Sequence, residues 1–415
     1  MLNQVSASDK KIQIFVWTLF DLANTAFYVI ILTVGYPLYF KEIINNGNRN
    51  GDFLWGLAFS ISMLIVAIIS PFLGAIADYT SNKKKFLLIL TLLCIFATSI
   101  LFYTGPGTIL LGMILLILAN IGFEGGLVFY DAFLPEITTE RSYGRVSGYG
   151  FAMGYIGSLI TLLIVLPLYS KGFVADNLQN IRITFLIAAS FFLIFALPLF
   201  LFLKEKKGNI HLNFNLMKIG YQRVTTTFKQ FNKYKNIGKF LLSYFLYIDA
   251  INTIIIFSSI FARESLNFEL TEIIILFSIV QSSAIIGSIL FGVLSDHAGQ
   301  KKTLTITLIL WLLIIMLSYF VQSKDFFYLI GGLAGLALGS SQSTSRSLMS
   351  KITPEDKKTE FFGFYSFFGK ASAIIGPLIF GFVSSAISQR TAILTIGLII
   401  LAGLFLLQRV EEKRF

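Results

Sequence analysis

LFDLANTAF, residues 19–27, sets an aspartate and an asparagine among leucine, phenylalanine and alanine. The pattern returns in YIDAINTII, residues 247–255, where Asp249 and Asn252 hold the same D-x-x-N-T spacing near the start of another apolar run. A second echo pairs GAIADYTSNKKK (74–85) with GVLSDHAGQKK (292–302) and aligns Asp78 with Asp296. A third aligns Gly148 and Gly154 of GYGFAMGYIG with Gly363 and Gly369 of GFYSFFGKAS. Three echoes in one order and at nearly one spacing read as two halves of one design in the same membrane orientation, a pattern of transporters.

The chain has 415 residues, 55% hydrophobic and 13% charged, with 43 phenylalanines and a mean hydropathy of +0.78. Apolar runs recur at 13–40, 53–77, 86–104, 108–133, 146–170, 182–203, 240–261, 271–294, 303–321, 326–349, 361–386 and 391–408. Each is long enough to cross about 30 Å of hydrocarbon at about 1.5 Å per helical residue. Strand-like alternation is missing, which excludes a barrel. The expected fold is an all-α integral membrane protein of twelve transmembrane helices in two six-helix pseudo-symmetric bundles. Residues 1–203 form the first, 204–239 a basic cytoplasmic linker, and 240–415 the second.

Basic residues collect in short cytoplasmic loops. With both termini inside, 24 of the 33 lysines and arginines fall in cytoplasmic segments, seven in outer loops, and Arg346 and Lys370 within apolar runs. The net charge of +11 is therefore spread over loops facing anionic lipid and makes no nucleic-acid face. Cys94 is the only cysteine, so neither an intrachain disulfide nor a thiolate cluster is available. Residues 1–12 lack a signal peptide's apolar core and cleavage site, so the first run is expected to be retained. The two histidines, His211 and His297, lie in loops, and no nucleophile–base–acid set can be assembled, so an enzyme is not expected.

G-x-x-x-D followed by Lys-Lys, after the second run and again after the eighth, resembles the loop motif of the major facilitator superfamily. Tyr79 and Asn82 stand where that motif usually carries arginine. Within the superfamily, W-x-x-F-D-x-A-N-T (17–25), FYDAFLPEI (129–137), GRVSGYGFAMGYIG (144–157), SSQSTSRSLMSKITP (340–354) and EFFGFYSFFGKASAIIGP (360–377) resemble the vacuole-effluxer-like family. The best-known relative in that family is an autophagy-related vacuolar amino-acid exporter. The resemblance implies that the first, fourth, seventh and tenth helices line a central cavity.

A carboxylate at mid-bilayer costs about 2.5–3.5 kcal/mol on insertion scales and needs a partner, water or a proton. Asp21 and Asp249 lie about 12–15 Å from the cytoplasmic ends of their runs, with Asn24 and Asn252 one turn on and on the same face. Each pair is expected either to bind solute or a proton, or to tie its helix to a neighbour. Glu124, among Gly122, Gly125 and Gly126, is expected either to load and release a proton or to be satisfied by Lys370 or a tyrosine hydroxyl. Lys370, whose counterpart is Tyr155, could hold a solute carboxylate or neutralise Asp249 or Glu124. Gln342 adds a cavity donor or a packing contact.

Asp131 and Arg346 occupy matching positions near cytoplasmic ends. With Asp78, Asp296, Lys83, Lys84, Lys85, Lys301 and Lys302 they are expected to form a cytoplasmic gate that latches the halves together, or else static loop anchors. Glycines at small-x-x-x-small spacing in GGLAGLALGSS and GYGFAMGYIG predict close helix approach. The basic linker predicts an amphipathic helix lying on the membrane surface. The phenylalanines of 361–368 would wall a cavity or face lipid.

The function these readings favour is a secondary active transporter working by alternating access, coupled to protons. Its solute would be small and polar or zwitterionic, an amino acid first. An efflux carrier for amphipathic cations or metabolites is the alternative, and a passive channel suits the duplicated halves less well. No cofactor beyond a proton gradient is expected. Partners are a small-molecule solute and membrane lipid, with no nucleic acid and no metal, and the chain is expected to act as a monomer in a bacterial inner membrane.

Overall fold

The computed structural model describes residues 7–48, 50–169, 171–205, 216–229, 231–372 and 375–412. Every regular element among them is helical. The longer helices are α1 (Ala7–Phe27), α2 (Gly51–Thr80), α3 (Lys83–Ile100), α4 (Ile109–Asp131), α5 (Tyr143–Tyr169), α6 (Leu178–Phe202) and α7 (Leu216–Lys229). They continue with α8 (Lys235–Leu266), α9 (Leu270–Ala298), α10 (Gln300–Phe320), α11 (Lys324–Ile352), α12 (Lys358–Ala371), α13 (Ile375–Ala386) and α14 (Gln389–Gln408). Ten described helices are long and apolar enough to cross a membrane. The run 326–349 lies in α11, a 29-residue helix rich in serine. Of the run 361–386, expected as one span, α12 covers the part up to Ala371 and α13 the part from Ile375, and residues 373–374 between them lie outside the described residues. The first run also departs from a plain α-helix, since α1 passes into a π-helical stretch, Tyr28–Val34.

The chain divides into two compact units, Met1–Phe133 with Met153–Gly220, and Leu134–Ala152 with Tyr221–Phe415. Lipid supplies no hydrophobic drive between helices, so close backbone packing matters most. In the second unit a Cβ at Gly335 or Gly339 of α11 would strike the carbonyls of Val280 and Ala284 on α9. Only glycine lets those backbones meet, as the small-residue spacing predicts. Large apolar side chains point outward, among them Leu110 at 72% exposed in the first unit and Phe382 at 74% in the second. That is the surface a bilayer covers.

Each unit ties its last helix to its third by a carboxylate placed on a helix N-terminus, where backbone N–H groups favour negative charge. In the first, Glu205 Oε2 accepts from the N–H of Lys84 at 3.2 Å, while Lys84 Nζ donates to the Leu203 carbonyl at 2.6 Å. In the second, Glu412 accepts from the N–H groups of Gln300 (3.0 Å) and Lys301 (2.9 Å) and from Lys351 Nζ (2.9 Å). Lys301 Nζ donates to the Gln408 carbonyl at 2.8 Å.

Residues 206–215 of the linker lie outside the described residues; α7 follows them. It is anchored to protein as well as amphipathic. Thr227 Oγ1 donates to Glu360 Oε1 and accepts from Lys357 Nζ. Arg223 Nη2 donates to the Asp356 carbonyl at 3.2 Å, with Nε 4.0 Å from the fully buried Glu360. Beside this cluster, burial pushes the Tyr234 phenol above its ordinary range.

Candidate functional site

In the first unit the site is built on α1 and α4. Trp17 Nε1 donates to the Tyr130 carbonyl at 3.0 Å, and its indole stacks on the Tyr130 ring at 4.6 Å and 10°. Phe20 stacks on the same ring at 5.0 Å. So held, Tyr130 Oη donates to Asp21 Oδ2 at 2.6 Å. Asp21 is 7% exposed and Asn24 4%. Asn24 Nδ2 donates to no described group, which leaves a buried donor one turn from a carboxylate. Thr25, the last residue of D-x-x-N-T, bonds back to the Leu22 carbonyl at 2.9 Å.

Glu124 is half-buried on α4. Its neighbour Phe123 packs on Phe27 at 5.0 Å and Tyr28 at 6.5 Å. Tyr28 interacts electrostatically with Glu124, and Tyr155 with both Tyr28 and Asp21. Tyr28 therefore lies near Glu124, and Tyr155 near Asp21 and Tyr28. Tyr28 was absent from the sequence reading; its position four residues after Asn24 and seven after Asp21, on one helical face, is the signal that would have found it.

In the second unit the repeated acid has a different partner. Asp249, 1% exposed, accepts on Oδ1 from the backbone N–H of Gly376 at 2.9 Å. Thr253 Oγ1 bonds back to the Asp249 carbonyl at 2.8 Å. Tyr247, two residues before the acid, shares a 2.7 Å hydroxyl contact with Ser345 on α11. Lys370, in the last turn of α12, donates to Ser366 Oγ at 2.7 Å. Asn252 and Gln342 are half-buried.

Of the residues expected at a cytoplasmic gate, Lys84 and Lys301 bond within their own units, as described above. Lys83 is buried with Nζ 5.6 Å from the Phe133 ring centroid. Asp78 and Asp131 are half-buried at the ends of α2 and α4. Asp296 accepts from the N–H groups of Gly144 (2.7 Å) and Arg145 (3.1 Å), and from Arg145 Nε at 2.7 Å. It thus serves the N-terminus of α5 with a charge-assisted pair, a role for Arg145 that sequence reasoning missed. Arg346, 2% exposed, donates from Nε to Ser147 Oγ (3.0 Å) and from Nη2 to the Ser147 carbonyl (2.8 Å). Its guanidinium carbon lies 4.0 Å from the Phe151 ring centroid.

Comparison with known proteins gives this arrangement its setting. Residues 54–414 match the model of the family described as vacuole effluxer Atg22 like. The chain belongs to that family. The MFS-type transporter YxiO of Bacillus subtilis (strain 168) is 29% identical over 408 residues, covering 96% of this chain and 94% of the relative. Autophagy-related protein 22 of Yarrowia lipolytica (strain CLIB 122 / E 150) is 21% identical over 477 residues, covering 94% of this chain and 78% of the relative. Among solved structures, the human organic anion transporter MFSD10 superposes with a TM-score of 0.78 at 14% identity, covering 96% of this chain and 99% of that one. The fold is that of the major facilitator superfamily, and the chain is a multi-pass membrane transporter, not an enzyme.

Proposed function

We propose that this transporter moves a small polar or zwitterionic solute, an amino acid first, by alternating access and with coupled protons. One observation carries the reading: a buried, unbonded amide donor at Asn24 beside the Asp21 carboxylate. A buried donor without an acceptor is costly, and a polar ligand relieves that cost. The pair offers an acceptor for an ammonium and a donor for a carboxylate, the two ends of a zwitterion. Glu124, on α4 with the Tyr130 that bonds Asp21, is the group that would load and release the proton. The family's description as an effluxer favours export. The distribution of basic residues supports cytoplasmic termini, and the bacterial relative YxiO supports a bacterial inner membrane.

An efflux carrier for amphipathic cations would draw on the same acid. The rings that would wall its cavity, however, are committed to each other: Tyr244 stacks on Tyr365 at 4.2 Å, and Phe361 packs on Tyr234 at 5.0 Å and Phe364 at 6.0 Å.

The test is purified protein in liposomes under an imposed pH gradient, offered labelled amino acids, peptides and cationic dyes. Gradient-accelerated amino-acid flux is expected; dye flux alone would replace this reading with the cation carrier. Glu124→Gln is expected to abolish gradient-driven accumulation and spare solute counterflow. Undiminished accumulation in that variant would remove Glu124 from coupling.

A further inference from the structure

The stretch W-x-x-F-D-x-A-N-T holds two large rings, Trp17 and Phe20, four residues and one residue before the acid at the solute site. Three positions apart, they share one face of α1. Both act on a single residue of α4. Tyr130 is fully buried, its ring stacked by Trp17 at 4.6 Å and by Phe20 at 5.0 Å, and its carbonyl takes the indole N–H at 3.0 Å. Phe20 is backed in turn by Phe192 and Phe200 of α6, which meet it edge-on at 5.6 and 6.2 Å. Stacking on two rings fixes both side-chain torsions of Tyr130 and leaves only its hydroxyl proton able to rotate. So placed, its oxygen stands 2.6 Å from Asp21 Oδ2.

The second unit shows the same positions without this arrangement. At the spacing that matches Asp131 with Arg346, Tyr130 corresponds to Ser345; at the spacing of the two D-x-x-N-T stretches, Trp17 corresponds to Phe245. Ser345 Oγ meets Tyr247 Oη at 2.7 Å, Phe245 packs edge-on against Phe368 at 6.3 Å, and Asp249 accepts from a backbone N–H. Stacked rings and a phenol on the acid occur together in the first unit, and among the described residues neither serves Asp249.

We propose that Trp17 and Phe20 are positioning residues: they hold the Tyr130 hydroxyl on Asp21 and thereby fix how that carboxylate faces the solute. This deepens the reading of Asp21 as the solute's ammonium acceptor and rests on it, while the positioning itself is measurable with no solute present.

A hydrophobic carbodiimide, which forms its adduct through a carboxyl oxygen, tests this on the full-length protein in liposomes. Labelling of Asp21 is followed by mass spectrometry, with Glu124 as the internal reference. Tyr130→Phe, which removes the donor to Oδ2, should label at Asp21 about fivefold faster than the parent. Trp17→Leu should match it, and Trp17→Phe, which keeps a ring to stack, should stay within about twofold of the parent. Trp17→Leu added to Tyr130→Phe should change labelling by no more than about twofold, because a residue that acts through the phenol has nothing to act on once the phenol is gone. If Trp17→Leu does not fold, Phe20→Leu takes its place in both measurements. The proposal is overturned if these leucine variants label Asp21 at the parent rate, if either adds its full effect to Tyr130→Phe, or if Glu124 accelerates equally, which marks general loosening. In counterflow the leucine variants should weaken apparent affinity for an amino acid about fivefold and leave the maximal rate within about twofold; a loss confined to the maximal rate would also overturn it. Absence of amino-acid flux in the parent protein would sink the proposed solute and leave the labelling result standing.

Discussion

The D-x-x-N-T stretch of α1 and that of α8 share letters and differ in wiring. Asp21 receives a phenolic hydroxyl at 2.6 Å, and one turn on sits an amide donor that bonds nothing described. Asp249 receives a backbone N–H at 2.9 Å and is sealed to 1% exposure. Both threonines bond back to their own helix, at 2.9 and 2.8 Å, so the shared element is the local helix geometry. Duplication reproduced a fold, and the partner of each acid then decided its work. A carboxylate answered by a side-chain hydroxyl can trade that partner for a solute; one answered by a backbone N–H holds a partner that moves only with its chain.

The largest effect expected from this difference is a split between two identical substitutions. Asp21→Asn should reduce amino-acid counterflow by about 10- to 100-fold, the worth of a hydrogen bond to a charged group. Asp249→Asn, whose amide oxygen can still accept from the Gly376 N–H, should cost no more than about threefold. Equal losses would erase the contrast. Next comes Tyr130→Phe, which removes the donor to Asp21 and should weaken apparent solute affinity about fivefold in equilibrium binding. Tyr247→Phe should lower stability by about 1 kcal/mol and leave affinity alone.

Two glycines sharpen the contrast through stability instead of flux. A Cβ at Gly157 would meet the Leu22 carbonyl and Thr25 Oγ1, so Gly157→Ala should cost about 1–3 kcal/mol in thermal unfolding. Gly381, with open space around its Cβ position, should accept alanine without loss. The smallest effect belongs to the tethers. Glu205→Gln and Glu412→Gln should each lower stability by about 0.3–1 kcal/mol, with Glu412 at the upper end because Lys351 is also bonded to it.

Much of this was legible in the sequence because a membrane makes its rules severe. Apolar runs, their repetition and the small-residue stripe of α11 are local patterns with one physical reading. What answers each acid was not legible. Tyr130 lies 109 residues from Asp21, and Gly376 lies 127 from Asp249. The second partner is a backbone N–H, which leaves no mark in the side-chain alphabet. Glu205 and Glu412 belong to no motif, and the pairing of Arg145 with Asp296 spans 151 residues. Of the lysines expected to latch the units, Lys84 and Lys301 donate to carbonyls at the ends of α6 and α14, pairings no local pattern announces.

The tether of the first unit also has a meaning in time. Chains are made from the N-terminus and fold as units while synthesis continues. Glu205 is the residue that fastens α6 to the start of α3, and it is synthesised before any of α8 exists. The first six spans can thus be clasped shut while their twin is still unwritten, so that the newborn half need not wait for the other with a loose end adrift in the bilayer.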